Sequence, residues 1–174
     1  IINTQNKKEK NEMNMKIFTI ADIHIGKRND IKNYFENELI NIINIINEKR
    51  PDLIVICGDL FDKRILMNSQ FAQYANILIN SIADHANTYN KKFYLLKGTL
   101  SHDFNQLNSY VYLTNSNIKI INTVTEEYLD NMNILIIPEE YEDSKEDYYK
   151  DTVFDSDKKY DFVFGHGMFN FAGG

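Results

Sequence analysis

Carboxylates and imidazoles recur at four places in this sequence, each just past a short apolar run. They are Asp22-Ile23-His24, Gly58-Asp59, His102-Asp103 and Gly165-His166-Gly167. Carboxylate oxygen and imidazole nitrogen in one donor set suit Mn, Fe or Zn better than Ca. A carboxylate can also bridge two ions, and two cations about 3.5–4 Å apart form the clamp used in phosphoester hydrolysis. Each piece has a plainer reading. Asp59 could cap the helix that follows it, Asp22 and His24 could be a turn aspartate and a solvated histidine, and His102 could donate to a loop carbonyl. His166 is different, because a glycine on either side lets the backbone crowd against a ligand. His85 gives the contrast: it falls mid-helix with no carboxylate at ligand spacing, and is read as structural.

The elements that must bring these groups together follow from periodicity. Leu53 to Cys57 is an unbroken, β-branched apolar run just after the breaker Pro51, which reads as a strand buried on both faces in a parallel sheet. Lys16 to Ala21 precedes the first site, Phe93 to Leu96 the third, and Asp161 to Phe164 the fourth. From Asp30, a possible N-cap, Ile31, Phe35, Leu39, Ile42 and Ile46 recur every three or four residues and predict a helix ending near Arg50-Pro51. Phe71, Ala75, Leu78 and Ile82 mark the buried stripe of a second helix, and a shorter one is expected around Asn105 to Leu113. Ile118 to Val124 and Ile134 to Ile137 read as further strands, and the acidic, Tyr-rich stretch from Glu139 to Lys159 as a loop with one short helix. Strand, helix, strand, helix, strand builds a parallel sheet with right-handed crossovers, and its carboxyl edge is where ligands bind. With the later strands forming a second sheet, the expected fold class is a layered α/β sandwich.

At 174 residues the chain suits one domain, with residues 1–14 expected as a polar tail and 15–174 as the domain. A net charge of −6 argues against a generally basic, nucleic-acid-coating surface, though not against a local basic patch. The one cysteine, Cys57, sits inside the buried strand, so no disulfide framework exists and a reducing compartment is expected. No apolar run approaches a membrane span. The chain begins at Ile1, Met15 is a plausible natural start, and the sequence stops in a glycine-rich turn, so a fragment is expected.

Asp22-Ile23-His24-Ile25-Gly26, Gly58-Asp59-Leu60-Phe61-Asp62, Ser101-His102-Asp103 and Gly165-His166 resemble, in order, the motifs of the calcineurin-like metallophosphoesterases. The Gly after the first histidine and the Phe-Asp after Gly-Asp resemble the SbcD-type nuclease subunits of double-strand-break repair and their phage-encoded relatives. The resemblance covers about residues 15 to 174. It implies two divalent metal ions, Mn first with Fe, Zn or Mg as alternatives. Asp22 and His24 would bind the first metal, Asp59 would bridge both, and His166 would bind the second. His102 would protonate the leaving oxygen or stabilise the transition state, with Asp103 orienting it. It further implies DNA as substrate, an SbcC-like ATPase partner, a possible homodimer, no membrane, and the cytoplasm of a bacterial cell or a phage-infected host.

Two departures from the family pattern bear on activity. The third motif, Gly-Asn-His followed by Asp or Glu, carries an Asn that binds the second metal. Here the stretch is Gly98-Thr99-Leu100-Ser101-His102-Asp103, two residues longer and without Asn, so Ser101 or Thr99 would have to substitute through a hydroxyl. The closing Gly-His-x-His motif has no counterpart before Gly174, and the chain as given is expected to be weakly active or inactive. Lys27-Arg28 and Lys63-Arg64 follow the first two sites and are expected to rim the same edge as a phosphate track for DNA. The rivals are a small-substrate or protein phosphoesterase of the same superfamily and a non-catalytic binding module on this fold.

Overall fold

The computed structural model describes residues 15–27, 31–139 and 158–167. The expected tail, Arg28, and nearly all of the acidic Tyr-rich stretch lie outside them. Four parallel strands, β1 (Ile17–Ile20), β2 (Leu53–Cys57), β3 (Lys92–Leu96) and β4 (Ile118–Ile121), pair in chain order. A second sheet holds β5 (Thr125–Leu129), β6 (Met132–Ile137) and β7 (Phe162–Gly165), with β5 antiparallel and β7 parallel to β6. The fold is the layered α/β sandwich that the periodicity predicts.

β2 shows how the layers stack. All five of its residues are buried, but they face two different cores. Ile54 and Ile56 pack with Leu39, Ile46, Leu78 and Ile82 of the helical layer. Leu53, Val55 and Cys57 pack instead with Ile134, Ile136 and Phe164 of the second sheet. The period-2 alternation of a strand thus divides one apolar run between two cores.

The helical layer comprises α1 (Ile31–Tyr34), a π-helical turn at Phe35–Leu39, α2 (Ile40–Lys49) and α3 (Gln70–Tyr89). Spacing of three and four predicts one continuous α-helix over the first of these. The wider turn inside it leaves the apolar spacing almost unchanged, so periodicity does not reveal it. α3 starts where Ser69 Oγ accepts the Ala72 amide (3.2 Å) and stops at Asn90, whose left-handed backbone ends it. His85 is buried on α3 with Nδ1 3.0 Å from Asn47 Oδ1 of α2, and burial, then the Arg50 and Lys91 charges, lower its pKa. The segment Gln106–Leu113 is a 3₁₀ helix.

The amino ends of the strands are tied by Asp52, which accepts from the Lys16 amide (2.8 Å) and from Lys91 Nζ (2.6 Å). Burial raises its pKa, but Lys91 and the Lys16 amide outweigh that and hold it below its ordinary value of 3.8. A lowered carboxyl pKa stabilises the fold above the ordinary value, and that contribution is lost as pH falls through the folded one. Asp52→Asn should therefore lower stability by about 1 kcal/mol at pH 7, and the difference should close below pH 3.8, as measured by urea unfolding at both pH values.

Candidate metal centre

The carboxyl ends of β1, β2 and β3 do not simply diverge into loops. After β1 and β2 the chain continues an irregular ladder: the Asp22 amide donates to Gly58 O (3.3 Å), His24 to Asp59 O (3.0 Å), Ile25 to Leu60 O (2.9 Å) and Asp62 to Ile25 O (3.0 Å). This lays Asp22 and His24 alongside Asp59. β7 arrives from the other sheet, with the His166 amide on Ile137 O (3.0 Å) and its Nδ1 on Cys57 O (2.8 Å). Thr99, past β3, donates both its amide (2.7 Å) and its hydroxyl (2.9 Å) to Asp59 Oδ1.

Asp59 is the hub of the arrangement. It is only 5% exposed, and two groups of ligand atoms, each within 4.8 Å of one another, share it: His24, Asp59 and His102, and Asp22, Asp59 and His166. His166 Nε2 stands 3.2 Å from Asp59 Oδ1, and His102 Nε2 stands 4.0 Å from Oδ2. His24 Nε2 lies 3.6 Å from Asp22 Oδ1 and its ring meets that of His102 edge-on, centroids 4.6 Å apart.

Hydrogen bonding shows what the donor set is suited to hold. A carbonyl can only accept, so His166 Nδ1 carries the proton shared with Cys57 O, and His102 Nδ1 carries the one shared with Asp62 O (2.7 Å). In the neutral tautomer each Nε2 then presents a lone pair toward the Asp59 carboxylate. Lone pair facing carboxylate is repulsive unless a cation lies between them, and a carbonyl on the other nitrogen is the usual support of a metal-binding imidazole. His24 Nδ1 is buried without a hydrogen bond, with Asp62 Oδ1 3.6 Å away. Divalent cations fit these residues.

Backbone strain is concentrated here as well. Asp22 (φ 55°), His24 (φ 51°) and Asp59 (φ 50°) all adopt the left-handed conformation that ordinary residues avoid. Such strain persists where surroundings over-determine it, typically at functional sites. Gly58, at φ 77°, has no room for a side chain, since a Cβ there would lie 2.5 Å from the His166 ring.

Three sequence expectations change in detail. Asp103 does not orient the His102 ring. Its carboxylate is fully buried and accepts from the Phe61 (3.0 Å) and Gly98 (2.8 Å) amides, so it braces the two loops, while the Asp62 carbonyl holds His102. Burial raises the Asp103 pKa; the amide bonds oppose this and the Asp59 charge adds to it. Ser101 is exposed in the turn before His102, and the hydroxyl that reaches the centre is that of Thr99, directed at Asp59. Asp62 has no role in the sequence reading, yet its carboxylate faces His24 and its carbonyl holds His102. Its place three residues after Asp59, on the strand-end ladder, is the signal that could have found it.

Lys27, Lys63 and Arg64 are exposed, and Arg64 lies over the Phe104 ring, 5.6 Å from its centroid. Lys27 shares a surface cavity with Asp22, His24, Tyr34 and Glu38. Gln106 joins the Lys63–Ile65 loop to the His102 loop through the Ile65 amide (2.7 Å) and Lys63 O (3.1 Å). These three cations therefore flank the histidines, while Arg28 is outside the described residues.

The sequence profile of the calcineurin-like phosphoesterases matches residues 15–172. The chain belongs to this family. A metallophosphoesterase is a metal-dependent hydrolase of phosphoesters, which accords with the two Asp/His groups built around Asp59. No curated protein sequence matches significantly. Among solved structures, similarity is found to a nuclease MPE of Pseudomonas putida, at 20% identity, TM-score 0.42, 72% of this chain and 55% of that one. A protein of unknown function from Aquifex aeolicus is similar at 17% identity, TM-score 0.39, 71% of this chain and 60% of that one. The chain matches less than two thirds of the length of either. Among the described residues no helix is long and apolar enough to cross a membrane.

Proposed function

We propose that this metallophosphoesterase hydrolyses phosphodiester bonds of DNA with two divalent cations, Mn first among them, as the nuclease part of an SbcD-type assembly with an SbcC-like ATPase in the cytoplasm. The observation that carries the DNA reading is the placement of Lys27, Lys63 and Arg64 beside the cluster in a chain of net charge −6. A monoester phosphatase needs little positive surface beyond its metals, whereas a nuclease must hold several phosphates. The Gly-Asp-Leu-Phe-Asp run at 58–62 supports the SbcD-type branch by resemblance.

Asp22, His24, Asp59 and His166 would hold the cations, with His102 within reach of the group formed by His24 and Asp59. Bound there, divalent cations polarise a phosphoryl oxygen and lower the pKa of a water. The protein's own part is positional and protic. Asp59 fixes the spacing because its two oxygens face different histidines. His102, held at Nδ1 by the Asp62 carbonyl, keeps Nε2 directed into the site, where in its protonated form it can give a proton to a leaving oxygen. His102→Ala should lower hydrolysis roughly a hundredfold while both metal equivalents remain, measured by turnover beside metal analysis of the same sample.

Replacing Lys27, Arg28, Lys63 and Arg64 together with Gln tests the substrate class. Each phosphate neutralised contributes about −0.9 to the slope of log affinity against log salt for duplex DNA. The quadruple variant should flatten that slope and weaken DNA cleavage, while a small chromogenic diester is still hydrolysed. Equal loss on both substrates would favour a small-substrate phosphoesterase. Metal bound with neither substrate cleaved would favour the binding module, the reading that the Asn-less third motif supports.

A further inference from the structure

We propose that Glu139 is a carboxylate donor to the cation held by Asp22, Asp59 and His166, completing a shell that the loop after β3 leaves short. The inference rests on the metal-centre reading above.

Three protein ligands form that group. Cations that take mixed carboxylate and imidazole ligands commonly have four to six ligands, so the group is under-supplied by its own side chains. The nearby loop offers little. Thr99 lines the cavity, but its hydroxyl is directed at Asp59 Oδ1, and Ser101 is exposed. The amide side chain that the third motif would ordinarily place here is absent from 98–103.

Glu139 lines the same cavity as Asp22, Thr99 and His166. Two residues past the end of β6, it obeys the rule that delivers the other donors, a carboxylate at the carboxyl end of a strand with a parallel partner. β6 runs parallel to β7 with Ile137 beside Gly165. Its backbone is fixed on the deficient loop itself, because the Glu139 amide donates to Lys97 O (3.1 Å), next to Gly98. The carboxylate is also given room: a Cβ on Gly167, which stands at φ 144°, would lie 2.4 Å from Glu139 Oε2. Oε2 is buried, and His166 is the next residue from that glycine. The carboxylate is not within the 4.8 Å group, and among the residues lining the cavity it has the longest side chain that ends in an acid. A set of three carboxylates and one imidazole is harder than His24, His102 and Asp59, which favours Mn or Mg at this position over Zn.

The test is calorimetric titration of the metal-free full chain with MnCl₂, for the natural protein, Glu139→Gln and Glu139→Ala, with thermal melts of each in metal-free buffer. The natural chain should bind two Mn equivalents. Both variants should keep one with unchanged Kd and bind the other roughly 10–100-fold more weakly. Their metal-free melting temperatures should not fall, since removing an acid from beside Asp22 and Asp59 relieves like-charge repulsion. The Mn-induced rise in melting temperature should shrink in step with the weakened site. Two unchanged equivalents in Glu139→Ala would overturn the proposal, as would equal weakening of both or a lower metal-free melting temperature, which would make Glu139 a brace. A natural chain that binds no second equivalent would overturn the two-metal reading, and this inference with it.

Discussion

Asp59→Asn should remove both metal equivalents at once and lower phosphodiester hydrolysis by roughly 10³–10⁴-fold, the rate equivalent of the several kcal/mol of charge stabilisation that bound cations supply. The reason is topological. Asp59 is common to the two ligand groups, with Oδ1 3.2 Å from His166 and Oδ2 4.0 Å from His102. Asn keeps a carbonyl oxygen for the two Thr99 hydrogen bonds and tolerates the left-handed backbone at φ 50°. The metal-free fold should therefore melt near the natural temperature, and relief of the charge facing buried Asp103 works in the same direction. His166→Asn should lose one equivalent and keep the other. The comparison to make is Mn stoichiometry and turnover for both variants in one preparation series. Retention of even one tight equivalent in Asp59→Asn would show that the two groups do not share this carboxylate.

Much of this site was legible because of where parallel strands end. Asp22, Asp59, His102 and His166 lie far apart in the chain, yet each follows an apolar run, and strands paired in parallel deliver their followers to one edge. The boundaries of β2 were readable residue for residue, whereas its division between two cores was not. A strand buried on both faces has no polar alternation to reveal which residue faces which layer. β5 escaped the sequence reading because Thr125–Leu129 alternates half-buried and exposed positions with two glutamates among them, the pattern of an edge strand. Its hairpin signal was present in Asp130-Asn131, both at positive φ, the pair a tight turn to β6 requires. The role of Asp103 was hidden for another reason. Its partners are backbone amides at Phe61 and Gly98, and side-chain chemistry in a sequence says nothing about which amides a fold leaves nearby. The strained backbones at Asp22, His24 and Asp59 likewise carry no glycine to mark them.

Gly98→Ala should be the most damaging single methyl group in the described part of the chain, although Gly98 contributes no ligand. A Cβ there would sit 2.1 Å from the Asp59 amide nitrogen, 2.3 Å from Asp59 Oδ1 and 2.8 Å from Asp103 Oδ2. None of these is the free end of a flexible chain. The Asp59 amide belongs to a strained backbone whose carbonyl accepts from His24 (3.0 Å), and both carboxylates are already fixed by amides. Relief must come from separating the loops after β2 and β3. That separation would weaken the Gly98–Asp103 and Thr99–Asp59 hydrogen bonds and draw Asp59 away from His102 and His166 together. Overpacking of this kind costs about 3 kcal/mol at the upper end of its usual range. Displacing a reacting group by about 1 Å can cost a hundredfold in rate. The expected result is a loss of about 3 kcal/mol in urea unfolding of the metal-free protein, joined to weaker binding of both Mn equivalents. Asp59→Asn should separate these effects, losing metal while keeping stability, and Gly98→Ala should not. A Gly98→Ala protein with natural stability and two tight Mn equivalents would mean that the loops after β2 and β3 stand further apart than the Asp59–Thr99 and Asp103–Gly98 contacts place them.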